Sequence, residues 1–312
     1  MNYFFKKWFF DLNVDEETYI YFILVEIKCF FFTIRNFTFH HYHYPDGSIT
    51  KSKTMHISLN KGDWENLQVK GKRLQIVPGA DNLYIISEFP DLEINLDIKN
   101  YHKAYSRECF IIQPKNKKIT WFPVPLYMTA TGSIEMDQKQ LKIEDAPVYI
   151  DHVTSDILPF NTPVIKMYWG RWLHPDFLLS YSIVFTPGGK EWSECVLILN
   201  KQCYRFTDLQ YIRMSGLSEE EENEQDENSY QLLAGEGTNS LTMNIHHRRT
   251  AAEGAFIDPE QYKFKNAYRL LNKISKNPRG KKFISEAELT LDINRKHYEW
   301  QKLSGIDEYV LF

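Results

Sequence analysis

Residues 147–186, PVYIDHVTSDILPFNTPVIKMYWGRWLHPDFLLSYSIVFT, bring Tyr149, Asp151, His152, Tyr168, Trp169, Arg171, Trp172, His174 and Asp176 into one short stretch. The run VYIDHV reads as a strand, and alternate residues of a strand face the same side. Tyr149 and Asp151 then share one face, and Ile150 and His152 the other. A carboxyl beside a phenol on an otherwise apolar face is a candidate acid in a dry pocket. In water an aspartate is ionised above about pH 4, so desolvation is what would keep it protonated. Tyr149 or His152 could hold that carboxyl or relay its proton. Trp121, Tyr168, Trp169 and Trp172 offer aromatic walls, with Arg171 and His174 as further substrate contacts. A structural alternative stands beside this: Arg171 could bridge strands by pairing with Asp151, Asp156 or Asp176.

Other groups carry less. His41 and His43 share a strand face beside His40, but no third ligand is evident, and no metal is expected. His246-His247-Arg248-Arg249 reads as a polar strand end. No Walker loop or G-x-S-x-G elbow is present, so nucleotide and serine-hydrolase chemistry find no support. The four cysteines show no CxxC spacing. Cys195 and Cys203 flank a hairpin turn and could approach each other, though free buried thiols are favoured.

The elements that must position these groups are strands. Residues 6–27 read as two strands about a polar turn at Asn13–Glu17, and 32–57 as a hairpin turning at Pro45-Asp46-Gly47. Strands follow at 67–77, 82–89 and 92–105. In the last, Leu92, Ile94, Leu96 and Ile98 alternate with polar residues, as in a half-buried antiparallel strand. Pro123 and Pro125 place 121–136 at an edge or crossing. Residues 191–214 read as a hairpin, and strands resume at 240–249 and near 282–293. Only 262–275 has helical spacing (Phe264, Tyr268, Leu271, Ile274), and 218–229 is an acidic, solvated loop. The pattern is all-β, a sandwich or barrel, and an up-and-down barrel of about eight strands can enclose one ligand.

Composition narrows the function. A net charge of −4 creates no field for nucleic acid. Aromatic residues make up 15 % of the chain, enough to line an apolar cavity. Residues 18–34 are very apolar, yet Glu26 and Lys28 interrupt them and they fall short of the roughly 20 residues of a membrane helix, so they read as buried strands. No secretory leader opens the chain, and a cytoplasmic location is expected.

Several of these segments resemble the hydroxyneurosporene synthase-like family (carotenoid hydratases, AttH-like proteins). Trp8-Phe9-Phe10-Asp11 is similar to the family's E-W-W/Y-Y-F-D opening, with Lys7 in place of the glutamate. Trp121-Phe122-Pro123-Val124-Pro125 and Thr131-Gly132-Ser133-Ile134 precede Tyr149-Ile150-Asp151-His152, which is similar to G-Y-x-D-H. Trp169-Gly170-Arg171 matches the end of W-x-W-G-R. The likeness covers residues 6–200. Val153-Thr154 stand where the family has W-G, and the C-terminal tyrosine- and glycine-rich segment is only faintly echoed by HYEWQKLSGIDEYVLF.

The resemblance implies two lipocalin-like β-barrels, expected here as residues 1–145 and 146–312 with a minor helix near the C-terminus. It also implies protonation of a carbon–carbon double bond in a polyene or terpenoid, followed by water capture (hydratase), cyclisation or proton loss (isomerase), without a cofactor. Asp151 is then the acid, with Tyr149 and His152 beside it. The alternative is a non-catalytic carrier for a lipid or pigment, and a third class is a scaffold using the acidic run. The expected partner is a hydrophobic small molecule, with transient membrane contact during its uptake and no nucleic acid. The oligomeric state stays open.

Overall fold

A computed structural model describes residues 3–15, 18–29, 32–43, 49–57, 59–63, 67–101, 109–112, 117–157, 162–213, 229–255 and 279–311. Within these the chain is all-β. The helix expected over 262–275, the Pro45-Asp46-Gly47 turn and nearly all of the acidic run lie outside the described residues. No helix of the described residues is long and apolar enough to cross a membrane.

The chain divides into two compact units. Unit 1 runs to Thr162, together with 257–276, which lies outside the described residues. Its strands are β1 (Tyr3–Asn13), β2 (Thr18–Cys29), β3 (Phe32–His43), β4 (Ile49–His56), β5 (Leu59–Asp63), β6 (Gln68–Gly71), β7 (Leu74–Pro78), β8 (Asn82–Phe89), β9 (Leu92–Lys99), β10 (Cys109–Ile112), β11 (Ile119–Pro123), β12 (Met128–Met136) and β13 (Lys139–Ser155). Unit 2 holds Pro163–Phe256 and Asn277–Phe312. It contains β14 (Lys166–Leu173), β15 (Phe177–Thr186), β16 (Gly189–Leu199), β17 (Gln202–Thr207), β18 (Gln210–Arg213), β19 (Ser229–Glu236), β20 (Asn239–Ala255), β21 (Arg279–Ile293) and β22 (Lys296–Leu311).

Each unit is one curled antiparallel half-barrel sheet. Unit 1 has the order β4-β3-β2-β1-β13-β12-β9-β8-β7-β6-β5, with β11 also on β13 and β10 on β11. In unit 2 the order is β17-β16-β15-β14-β22-β21-β20-β19-β18. Both are meanders in which the unit's first strand pairs with its last: β1 with β13, β14 with β22.

Alternation explains why these segments are strands. Along β8 and β9, Leu83, Ile85, Leu92, Ile94, Leu96 and Ile98 are buried while their neighbours face outward. They join Trp8, Phe10, Phe22, Phe37, Val148 and Ile150 in the core of unit 1. The core of unit 2 gathers Tyr168, Trp172, Leu179, Tyr181, Leu197, Tyr230, Met243 and Leu289. Of the apolar run 18–34, residues 18–29 form β2 and 32–34 open β3.

Three expectations are corrected here. A boundary after residue 145 would cut β13, which runs unbroken past it and pairs with β1 and β12. Next to that boundary the ladder carries a β-bulge, with Glu144 and Asp145 of β13 set against Thr131 of β12. The β12–β13 register slips between Ala130 and Gly132, with Asp145 at φ 47° and Gly132 at φ 145°. His246-His247-Arg248-Arg249 is likewise a mid-strand bulge of β20, which continues to Ala255. Finally, 296–311, read only as a faint echo, is the full-length strand β22 at the centre of its sheet.

Gly132 tolerates no side chain. A Cβ there would lie 2.0 Å from the carbonyl oxygen of Asn95, a backbone atom that cannot swing aside. Gly132→Ala is expected to cost about 1–3 kcal/mol from the backbone conformation alone, read as a lower urea midpoint with unchanged slope. A wild-type midpoint would show that the bulge relaxes freely.

Cys195 is buried and Cys203 exposed, and both are free thiols. Their cross-strand partners are Phe206 and Ile198, so the β16–β17 register does not set them opposite each other. Burial pushes the Cys195 thiol well above its ordinary range.

Candidate functional site

Register decides which side chains meet. On β13, Tyr149 and Asp151 face one side, both fully buried. Ile150 faces the other, in the core. His152 follows Ile150 and stacks on Trp8, ring centroids 4.2 Å apart and planes 11° from parallel. Strand parity therefore separates His152 from Asp151, and the relay expected of it is not assembled on the Asp151 face.

Across the ladder, Asp151 lies opposite Phe9 of β1, and Tyr149 lies opposite Asp11. Asp11 thus shares the face of Asp151 and is equally buried. The two carboxyls are diagonal neighbours, about 7–8 Å apart at Cα by strand geometry. Tyr19 donates its hydroxyl to Asp11 Oδ1. The same face continues through Tyr21, whose ring stacks on His40 and whose hydroxyl sits 3.1 Å from that of Tyr42. On the far side of β13, Trp121 of β11 donates its indole N–H to Asp151 Oδ2 at 3.4 Å. The result is a carboxyl pair, Asp11 and Asp151, set among Phe9, Tyr19, Tyr149 and Trp121. Trp8 belongs to the core, whereas Asp11 points the opposite way, onto this face. The signal for Asp11 is in the sequence: in WFFD it is three residues from Trp8, hence of opposite parity.

The remaining expected contacts, Tyr168, Trp169, Arg171, Trp172 and His174, belong to unit 2. Parity sorts them as well. Tyr168 and Trp172 point into the core, where Tyr168 stacks on Tyr211 at 4.7 Å and Trp172 on Tyr181 at 5.9 Å. Trp169 and Arg171 take the other face. Arg171 Nη2 contacts Glu308 Oε1 at 2.7 Å, and Lys282 Nζ reaches the same oxygen at 2.9 Å. The guanidinium lies 4.9 Å over the Trp169 ring. Arg171 thus ties β14 to β22 and β21 through Glu308, a partner the sequence reading did not consider. His174 is built into the β14–β15 turn. Its backbone exchanges hydrogen bonds with Phe177, and its Nδ1 accepts from the Asp176 N–H at 3.2 Å. Gly170 has no room for a side chain, since a Cβ would meet Tyr181 at 2.4 Å and Trp172 at 2.6 Å.

Unit 2 also holds a buried cluster that sequence reasoning missed. Asp307 faces inward from β22 and is 1 % exposed. Its Oδ1 accepts from Tyr181 Oη at 2.6 Å and from the Glu308 N–H at 3.0 Å. Its Oδ2 accepts from Tyr230 Oη at 2.5 Å and contacts His247 Nε2 at 2.5 Å. The two phenol oxygens also touch each other. Burial first, and then the Asp307 carboxylate, hold both phenols well above the usual tyrosine range, so they remain donors. Phe283 stacks flat on His247 at 4.0 Å.

No protein-family model matches the chain. No curated protein sequence matches it either. Solved structures do. A Nitrosomonas europaea protein assigned as AttH aligns with 98 % of this chain and 92 % of its own, at TM-score 0.56 and 10 % identity. CghA solved with Sch210972 aligns with 99 % and 88 %, at TM-score 0.63 and 8 % identity. Kievitone hydratase from Nectria haematococca aligns with 98 % and 88 %, at TM-score 0.57 and 10 % identity. The chain has the AttH-like, lipocalin-type fold. At these identities the likeness is one of architecture, and the side chains of the site speak for this chain alone.

Proposed function

We propose that this chain is an enzyme of the hydratase or cyclase kind. It protonates a carbon–carbon double bond of an apolar polyene or terpenoid, without a cofactor, and uses Asp151 as the acid. One observation carries the reading: Asp151 is wholly withdrawn from water on an aromatic face, with the Trp121 N–H on one oxygen and Tyr149 on the same strand face. The fold supports it, because kievitone hydratase is by name a hydratase and CghA was solved with an organic small molecule bound.

In this scheme the Asp151 carboxyl gives its proton to the alkene carbon that leaves the more substituted cation. The rings of Phe9, Tyr19, Tyr149 and Trp121 present π-faces to that cation, each worth about 0.5–2 kcal/mol when desolvated. Water then captures the cation and gives up a proton, or a second double bond closes a ring and the new cation gives up a proton from a neighbouring carbon; either way the proton released replaces the one Asp151 gave. Asp11, the diagonal carboxyl, is placed to take the proton from the attacking water. His152 has no part on this face.

The test is native mass spectrometry of the purified protein coupled to organic extraction. A co-purifying polyene or terpenoid is the expected result and names the substrate to assay. A protein that arrives empty and binds none of a panel of carotenoids, terpenoids and fatty acids overturns the reading. A ligand that is held and returned unchanged indicates a carrier.

A further inference from the structure

Asp307 uses its whole hydrogen-bonding capacity on four donors, so it acts on anything else only through His247. In the neutral imidazole, with Nε2 turned to a carboxylate, that nitrogen carries the proton and Nδ1 presents a lone pair. Nδ1 is buried, and among the described residues nothing meets it.

Two further buried polar atoms in the same place are also unmet among the described residues: Ser285 Oγ and Trp172 Nε1. Register brings the three together. Ser285 of β21 lies directly opposite His247 of β20 on one side and Gly305 of β22 on the other. Trp172 Nε1 occupies the space of the missing Gly305 side chain, since a Cβ there would lie 2.3 Å from it. Ser285 is 1 % exposed, Trp172 0 %, and the His247 side chain 4 %. Buried polar atoms are nearly always paired, so three orphans on one face call for a guest.

We infer that the inner face of unit 2 is a binding site for the hydroxyl of an apolar alcohol, phenol or enol. The count of donors and acceptors selects that group. The site offers one acceptor, Nδ1, one donor, the Trp172 N–H, and the Ser285 hydroxyl, which can donate or accept. A hydroxyl carries one donor and two acceptor lone pairs, and so completes all three. A ketone or carboxylate brings no donor to Nδ1, an ammonium brings no acceptor to the Trp172 N–H, and water, which meets the same polar groups, leaves the aromatic walls without an apolar partner. The surroundings set the rest of the ligand: Phe283 against His247 and Tyr181 against Trp172 make apolar, aromatic walls. This site stands on unit 2 alone and does not depend on Asp151.

The probes are 4-methylphenol and toluene, which differ by the hydroxyl. Protein labelled with 15N in tryptophan is titrated with each, and the Trp172 indole N–H resonance is identified by its loss in Trp172→Phe. The expected result is a saturable shift with 4-methylphenol and binding of toluene at least about tenfold weaker, the scale of one to two lost hydrogen bonds. Ser285→Ala, which removes a single oxygen, is expected to weaken 4-methylphenol by about threefold to tenfold and leave toluene unchanged. Equal binding of the two probes, no shift with either, or a bound water that 4-methylphenol fails to displace would overturn the inference.

Discussion

Asp151→Asn is expected to keep its ligand and lose its chemistry. The amide oxygen of asparagine can still accept from Trp121 Nε1, and its volume matches that of the carboxyl, so the aromatic face closes as before. What it lacks is a proton to give. Loss of a positioned general acid lowers rates by about 10²- to 10⁴-fold, and that is the drop expected in product formed from the co-extracted molecule, followed by chromatography and mass spectrometry. Retention of the ligand in native spectra is the control. If the variant turns over at the wild-type rate, Asp151 is not the acid. If it loses the ligand as well, the carboxyl serves binding and the enzyme reading falls back to a carrier.

The second large effect is on stability. Asp307→Ala removes the acceptor for two phenols, an imidazole N–H and a backbone N–H, all inside the core of unit 2. Breaking a buried, hydrogen-bonded charge network of this kind costs about 3–5 kcal/mol, mostly through the groups left unpaired. The variant should unfold at a distinctly lower urea concentration with little change in slope. Asp307→Asn retains one acceptor oxygen and is expected to fall between wild type and alanine. If alanine lies within about 1 kcal/mol of wild type, neighbouring groups have found other partners and the network does not hold the unit together.

Much of the scaffold was legible because burial in a sheet imposes a period of two. Strands β8 and β9 alternate cleanly, and the same parity correctly paired Tyr149 with Asp151 and set Ile150 with His152. Parity alone also argued against His152 as a relay, since neighbours on a strand cannot share a face. What stayed hidden were the places where the period breaks. The bulge at Gly132 and Asp145 passes for a domain boundary, because proline and charged residues stand where two strands slip register. Strand β22 escaped because its inward positions at the site are Gly305 and Asp307, which score as loop rather than core. The sequence signal was present in the flanks, where Tyr298 and Trp300 at one end and Tyr309 and Leu311 at the other keep the alternation. Which acidic residue meets Arg171 was not readable at all, since Glu308 is far along the chain and only the β14–β22 ladder brings it close.

That ladder has a consequence for how the chain is made. Strands β14 to β21 can pair as hairpins soon after they leave the ribosome, but the strand that joins the two ends of the meander is synthesised last. Until Lys296–Leu311 emerges, β14 and β21 present unpaired edges, and Tyr181, Tyr230 and His247 have no carboxylate to close upon. Exposed sheet edges of this kind recruit other chains. Unit 2 is therefore most vulnerable to aggregation in the interval before its last sixteen-residue strand docks, and a message cut short just upstream of that strand would yield an open, adhesive sheet rather than a smaller domain.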